Sequence, residues 1–388
     1  MHERWLVLGA LTLARTAMGF QFQSVAVVSP QLVEAFAMSY AALGTLIGLY
    51  LLPGSLVALP GGVLAQRFGD KAIACTGLAA MTVGGALMGA VESTGALTVG
   101  RLLGGTGAVL LNVVLTKMVT DWFEGHGVAK ALGVLITSWP LGIALALVVL
   151  PPLVAVSHWA AAMHAGAALS ALSLLLVAVL YRAPRASATA PLHFRIALLP
   201  RELALVLLAG AVWALYNVAF IIVLAFAPEF LTAAGRSPAA ASAMVSAVGW
   251  VIIPALPLGA WVAERAGGPD RTIHASLALA GLALAWVVGI DASLALFVAI
   301  GLGFGPAGGL IMALAGETAA PERRALAMGV FFTCYYAGMG VLPGLAGYAR
   351  DFTGSPAAPL WVAVVMLLAT MAMLAQFRLL QSRAPRGA

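Results

Sequence analysis

The stretch Ala58-Leu-Pro-Gly-Gly-Val-Leu-Ala-Gln-Arg-Phe-Gly-Asp-Lys71 closes a long apolar run, and it recurs later in the chain. The second copy, about 200 residues further on, reads Ala255-Leu-Pro-Leu-Gly-Ala-Trp-Val-Ala-Glu-Arg-Ala-Gly-Gly-Pro-Asp-Arg271. A shorter echo, Ala131-Leu-Gly133 and Ala327-Met-Gly329, has nearly the same separation. Two six-helix halves related by repetition are the build of many secondary transporters, so the repeat predicts a chain of two similar halves.

The composition around this repeat is that of a membrane protein. Of 388 residues, 62% are hydrophobic and only 9% are charged, whereas soluble domains carry about 25% charged residues. The mean hydropathy is +1.04. Because about 20 apolar residues cross a bilayer as a helix, the regularly spaced apolar runs predict an all-α protein with twelve transmembrane helices.

Turn signals between the apolar runs set the approximate limits of each helix. The longest polar stretch, 182–202, divides the chain into an N-terminal six-helix bundle (1–181), a cytoplasmic linker (182–202) and a C-terminal six-helix bundle (203–388). The predicted spans are 5–33, 42–65, 72–91, 96–119, 130–152, 160–181, 203–231, 240–262, 272–290, 293–316, 326–348 and 358–380.

The basic residues predict the orientation of these helices. With a cytoplasmic N-terminus, nearly all loop Lys and Arg fall on the inner side, and only Arg236 and Arg350 fall outside. This asymmetry follows the positive-inside rule, so both termini are expected in the cytoplasm, with the protein in the cell inner membrane. The net charge of +6 is therefore explained by topology, and no nucleic-acid partner is expected.

The loop after the second span resembles the signature of the major facilitator superfamily, G-x-L-A-D-R-x-G-R/K-R/K. The signature is matched at Gly62, Arg67, Gly69 and Lys71. The sequence departs from it at two positions, where Gln66 replaces the usual acid and Asp70 replaces a basic residue. The family pattern of the fourth helix, an Arg followed by G-x-G, is matched by Arg101, Gly105 and Gly107. The resemblance covers nearly the whole chain and implies two pseudo-symmetric six-helix bundles, no enzymatic activity and a monomer.

The resemblance also implies which residues take part in gating. In the family this loop helps to latch the cytoplasmic side, and Arg67 and Lys71 would pair with helix-end carbonyls or carboxylates across the two halves. Glycines 62 and 69 would allow close backbone approach and a tight turn. The expected gating set is Gly62, Arg67, Gly69, Asp70, Lys71 and Arg101, with Glu264 and Arg265 from the second copy.

Arg15 is the most informative residue for the mechanism. It lies ~15 Å along the first span, close to the middle of a hydrocarbon core ~30 Å thick. A guanidinium costs several kcal/mol there unless it is paired or hydrated, and every one of the 14 acids falls in a loop or at a helix end. We therefore expect a water-filled cavity in which an anionic substrate is the partner of Arg15. The alternative is that Arg15 reaches the cytoplasmic face or bonds helix carbonyls.

Other polar and aromatic residues are expected to face the same cavity, because the family fold places helices 1, 4, 7 and 10 around it. Trp213, Tyr216 and Asn217 share one face of the seventh span. The full expected substrate-binding set is Arg15, Gln23, Asn112, Trp139, Trp213, Tyr216, Asn217, Tyr335 and Tyr336. Helix packing is the alternative for each aromatic residue.

These observations predict a secondary active or facilitated transporter of a small anion, inorganic or carboxylate. The first-span Arg resembles the cyanate-permease branch, although Arg15 lies further ahead of Pro30 than in that branch. An exporter of a neutral or hydrophobic drug or metabolite is the alternative, although the antiporter pattern of helix five is replaced by Trp139-Pro-Leu-Gly142. No metal site or cofactor is expected, since the histidines and acids form no ligand spacing.

Overall fold

The computed structural model describes residues 2–182, 197–265, 267–320 and 323–382, and within them the chain is helical. Most of the predicted linker, residues 183–196, lies outside the described residues. The helices are α1 (His2–Val27), α2 (Ser29–Phe36), α3 (Tyr40–Gly48), α4 (Gly54–Phe68), α5 (Asp70–Ala90), α6 (Thr94–Phe123), α7 (Val128–Ala155), α8 (Ala160–Leu180), α9 (Pro200–Ala233), α10 (Pro238–Ala255), α11 (Leu258–Arg265), α12 (Pro269–Gly289), α13 (Leu294–Ala313), α14 (Arg324–Thr353) and α15 (Ala358–Ser382), and a short 3₁₀ turn (Leu314–Glu317) follows α13.

Three of the twelve predicted spans are each built from two helices, which corrects the expectation of continuous spans at 5–33, 42–65 and 240–262. The breaks fall at Val28, between α3 and α4, and between α10 and α11. A proline stands at or near each break, because a proline cannot donate to the preceding turn. At the first break the Ser29 hydroxyl donates to the Ala26 carbonyl at 2.7 Å. This bond replaces the one that Pro30 cannot make.

In the part of the chain that the structure describes, ten helices, α5 to α10 and α12 to α15, are long and apolar enough to cross a membrane. The first span fails this test since α1 carries Arg15, Gln21 and Gln23, and the second fails since its break leaves two short helices. Both spans pack inside the bundle with the others, so the predicted spans correspond to the structure, each as one helix or as a broken pair.

The two halves are each held by packing among their own helices. In the first half α1 packs on α7 and α8, and α5 packs on α6 and α8; in the second half α9 packs on α14 and α15, and α12 on α13. Between the halves α3 and α4 contact α14, α7 contacts α10, and α1 contacts α9. Helices of both halves therefore meet along a central interface, which we call the cleft.

Candidate functional site

Arg15 lies near the middle of α1 and makes no hydrogen bond or ion pair with any described residue. Its side chain is partly exposed, and its Nε is buried without a partner. The Thr12 hydroxyl, one turn earlier on the same face, is also buried without a partner. An unpaired guanidinium at membrane depth is a functional-site hypothesis in itself.

Two phenols of α14 face Arg15 across the cleft. Tyr335 and Tyr336 are close enough to Arg15 to interact with it electrostatically, and their rings lie 5.0 Å apart. Asn112 of α6 donates to the Tyr336 hydroxyl oxygen at 3.4 Å, which leaves the hydroxyl hydrogen of Tyr336 without an acceptor in the described chain. The first half thus contributes Arg15 and Asn112, and the second half contributes the two phenols.

A layer of aromatic rings continues this wall along α9. Trp213 is partly exposed and lies 6.0 Å from the Tyr335 ring. It stacks on Tyr216 at 5.6 Å and on Phe331 at 6.4 Å. These two neighbours fix the orientation of the indole.

Tyr216 and Asn217 are nearby but differ from the predicted arrangement. The Tyr216 side chain is only 3% exposed and its hydroxyl donates to the Phe304 carbonyl at 2.8 Å. It therefore supports Trp213 from behind, and its hydroxyl is not offered to a ligand. The Asn217 amide folds back onto the Trp213 carbonyl at 2.7 Å, because an Asn in a helix can bond the carbonyl one turn earlier.

Gln23 and Trp139 lie beside the Arg15 cluster and not within it. Gln23 is fully buried, and its Nε2 donates to the Leu224 carbonyl of α9 at 2.9 Å. This bond joins α1 of the first half to α9 of the second half. Trp139 is partly exposed and packs on Phe22, with ring centroids 5.4 Å apart. Its predicted ligand contact stays a prediction.

The chemistry of the cluster is dominated by hydrogen-bond donors. The guanidinium, the two phenols and the Trp213 indole have no acceptor among the described side chains and carbonyls. The described carboxylates lie near helix ends or in loops, and six of them pair with another lysine or arginine, as in Lys117–Asp70 and Arg323–Glu202. A site with one positive charge and several free donors is suited to an acceptor-rich, negatively charged ligand.

Arg101 is buried differently from Arg15, because backbone carbonyls satisfy its guanidinium. It is 1% exposed and donates to the carbonyls of Leu46, Ile47, Gln21 and Phe22 at 2.7–3.3 Å. The first two carbonyls belong to the last turn of α3, where helix carbonyls lack intrahelical partners. Arg101 therefore clamps α6 to the broken second span. Its predicted role in gating remains untested.

A line of glycines, which we call the seam, brings the two halves together at one end of the molecule. A Cβ at Gly44 or Gly48 of α3 would collide with the carbonyl oxygen of Pro343 or Gly340, and a Cβ at Gly347 of α14 would collide with that of Tyr40. Small residues at this spacing allow membrane helices to touch through their backbones. This is the closed end of the molecule.

Asp351, at the end of the seam, binds the start of α3. Its two carboxylate oxygens accept hydrogen bonds from the backbone N–H groups of Tyr40 (2.9 Å) and Ala41 (2.8 Å), at the start of α3. A carboxylate at a helix N-terminus satisfies free donors and complements the helix dipole. Next to it, Arg350 pairs with Glu229 at 3.0 Å and lies over the Tyr40 ring at 4.6 Å. The contacts of Asp351 and Arg350 with the start of α3 join α14 to the first half, whereas the Glu229 pair holds Arg350 to α9.

Replacing Asp351 by alanine is expected to open the closed end. The loss of both hydrogen bonds costs about 1–2 kcal/mol, so the ratio of open to closed molecules at this end should rise roughly five- to thirty-fold. Spin labels at Glu34 and Ala239, both exposed and in opposite halves, report this opening as a population at longer distance in double electron–electron resonance.

The control is Asp291→Ala, since the Asp291 carboxylate is exposed at the same end and has no partner among the described residues. A cysteine-free background with Cys75→Ser and Cys334→Ser carries the labels. An unchanged distance distribution in the Asp351 variant would show that the carboxylate does not hold this end.

The predicted gating residues other than Arg101 lie at the opposite end of the molecule, where α4 ends and α14 begins. We call this the open end. Among the described residues, no hydrogen bond or ion pair joins the halves there. Asp70 pairs with Lys117 within the first half, and Arg67 lies over its neighbour Phe68 at 5.3 Å. Lys71 and Glu264 have no ion-pair partner in the described parts. Their pairing across the halves is thus absent from this conformation.

Two expectations about this loop have different outcomes. Gly69 has φ +87° between α4 and α5, as the expected tight turn requires. The expected close approach at Gly62 is wrong for this conformation, because nothing lies within 4 Å of a Cβ built there. The open end leaves this face of α4 uncovered. Arg265, the second-copy residue, lies over Trp261 at 4.1 Å.

Sequence reasoning missed the seam, Asp351 and Thr12. The spacing Gly44-x-x-x-Gly48 and Gly340-x-x-x-Gly344 was a usable signal, because small residues four apart mark close helix contacts. Asp351 and Thr12 carried no signal, since their roles depend on which helix end or side chain lies opposite. Within the described residues, no group of three or more His, Cys, Asp or Glu could hold a metal ion.

Comparison with known proteins gives a family and a few relatives. The sequence profile described as Major Facilitator Superfamily matches residues 11–227 and 203–388. Rv1250 of Mycobacterium tuberculosis, named an uncharacterized MFS-type transporter, is 31% identical over 109 residues, 28% of this chain and 19% of that protein. The inner membrane transport protein YajR of Escherichia coli is 29% identical over 113 residues, 29% of this chain and 24% of its own length. The aligned parts thus span about a fifth to a quarter of these curated relatives.

A solved structure similar to the whole chain is that of a bacterial homologue of the human lysosomal transporter Spinster, in an inward-facing and occupied conformation. It matches with a TM-score of 0.76 at 18% identity, covering 99% of this chain and 97% of that one. At this identity the likeness concerns the fold alone.

Proposed function

Because the chain belongs to the Major Facilitator Superfamily, we propose that it transports a small anion by alternating access, with Arg15 as the electrostatic anchor. It is a multi-pass membrane transporter and not an enzyme. The substrate binds in the cleft between the halves, at the depth where Arg15, Asn112 and the phenols of α14 meet.

The observation that supports this proposal is the unpaired guanidinium of Arg15. Nothing in the described chain neutralises it, and its neighbours Tyr335 and Tyr336 are further donors. A charge at membrane depth without a partner costs several kcal/mol, and an anionic ligand would supply the missing charge. A neutral or cationic substrate would leave that cost uncompensated.

The two ends of the molecule indicate that the cleft opens toward the cytoplasm in this conformation. With the closed end facing outward and the open end facing the cytoplasm, the basic loops fall on the inner side, as the positive-inside rule requires. Both termini then lie in the cytoplasm, and the protein lies in the cell inner membrane. It acts as a monomer whose two halves are divided by the segment 182–202. Closure of the open end would bring Arg67 and Lys71 toward the second half.

The proposal is tested by uptake into proteoliposomes that contain the purified protein. The panel is labelled benzoate, acetate, cyanate and nitrate, together with a neutral sugar and a neutral hydrophobic dye. We expect saturable uptake of at least one anion, inhibited by the same unlabelled anion and absent from protein-free liposomes. Saturable transport of a neutral compound alone would overturn the proposal and favour the drug or metabolite exporter.

A further inference from the structure

We propose that the substrate is a monoanion with a flat, conjugated body, such as an aromatic monocarboxylate. This inference rests on the proposed anion transport and adds the substrate class. The charge and the shape of the ligand depend on different residues of the cleft.

The cleft offers one positive charge to a ligand. Arg101 is enclosed by four backbone carbonyls, and Lys117, further along α6, is occupied by Asp70 and Asp121. Among the described residues, Arg15 is therefore the only unpaired cation near the middle of the helices. A dianion would bring a second negative charge into the cleft without a partner, which the surrounding apolar helices disfavour.

The rings of the second half recognise the rest of the molecule. Trp213, Phe332 and Tyr335 are all partly exposed, and Trp213 is held by stacking on Tyr216 and Phe331. The faces of aromatic rings carry negative potential, so they repel an inorganic anion but stack well on a flat apolar group. A ligand with a carboxylate at Arg15 and a flat ring against Trp213 uses both walls of the cleft.

Binding affinities for three carboxylates test the inference. Thermal unfolding of the detergent-purified protein is titrated with benzoate, with cyclohexanecarboxylate (the same charge, not flat) and with terephthalate (flat, two charges). We expect benzoate to bind about three- to ten-fold more tightly than cyclohexanecarboxylate, the range that an aromatic stack contributes. The preference over terephthalate should be at least about ten-fold.

Variants of Trp213 test whether its ring causes the preference for benzoate over cyclohexanecarboxylate. Trp213→Leu should bring the benzoate and cyclohexanecarboxylate affinities together, whereas Trp213→Phe should keep part of the difference. Trp286→Leu is the matched control, because Trp286 lies on α12 and is 53% exposed; it should change neither affinity.

The outcomes separate this inference from the proposed function. Acetate and nitrate are titrated in the same way, and an affinity for either that equals or exceeds that for benzoate would overturn the aromatic substrate and leave anion transport in place. Equal affinities for benzoate and cyclohexanecarboxylate in the parent protein, or a preference that survives Trp213→Leu, would do the same. If none of these anions binds, both inferences fail together.

Discussion

Replacing Arg15 by glutamine is expected to abolish anion transport while the folded protein becomes no less stable. A hydrogen bond to a charged group contributes about 1.5–3 kcal/mol, so affinity for the transported anion should fall roughly 10- to 100-fold. Stability should move the other way, since the Nε of Arg15 is buried without a partner and an amide is cheaper to bury than a guanidinium. Lysine at this position should recover little affinity, because it cannot present a planar pair of donors.

Two measurements on the same purified variant check this prediction: saturable uptake into proteoliposomes, and the unfolding midpoint with and without the anion. The matched control is Arg101→Gln, which removes the other buried guanidinium of the first half. Because four carbonyls accept hydrogen bonds from Arg101, this control should lower the unfolding midpoint. Anion uptake by the Arg15 variant at the parent level would refute Arg15 as the anchor.

The second large effect is expected from Gly48→Leu. A side chain at Gly48 would collide with the Gly340 carbonyl oxygen, and neither backbone can move without separating α3 from α14. The closed end should therefore fail to close, and the protein should be held with that end open. Transport requires both conformations, so turnover should be lost while anion binding persists.

Net uptake measures turnover, and the thermal stabilisation caused by the anion measures binding, so the two assays together distinguish lost turnover from lost binding. The spin labels at Glu34 and Ala239 should show the longer distance. Gly289→Leu serves as the control, because Gly289 lies at the same end of the molecule with nothing within 4 Å of a Cβ built there. If Gly48→Leu transports at the parent rate, the backbone contact of the seam is not needed for the cycle.

Features that follow from periodicity or local chemistry were predictable from the sequence. The apolar runs indicate the spans because the bilayer requires about 20 apolar residues, and the repeat indicates two halves. Arg15 could be selected from the sequence as a candidate site residue, since a lone charge in an apolar run needs an explanation wherever the helices pack. Its neighbours Tyr335, Tyr336 and Asn112 were predicted as cavity residues, and the structure brings them together.

Features that depend on what lies opposite a residue were not predictable. Tyr216 and Trp213 share a helix face, yet one hydroxyl is consumed by the Phe304 carbonyl while the neighbouring indole stays partly exposed. The break between α3 and α4 was also missed, because a proline can equally be tolerated within a membrane helix, as Pro60 is in α4. Two of the four carbonyls that Arg101 contacts, those of Leu46 and Ile47, lie in the turn that precedes that break, so they could not be foreseen without it.

The glycine seam also bears on how well the membrane is sealed. Where α3 and α14 meet, even a single carbon atom added to Gly44, Gly48 or Gly347 would not fit. A water molecule needs a space of about 1.4 Å radius, so a continuous file of water cannot run between these two backbones. With this end shut, hydrated ions and protons have no route along the seam, so a molecule that is open at its other end does not dissipate the ion gradients of the cell.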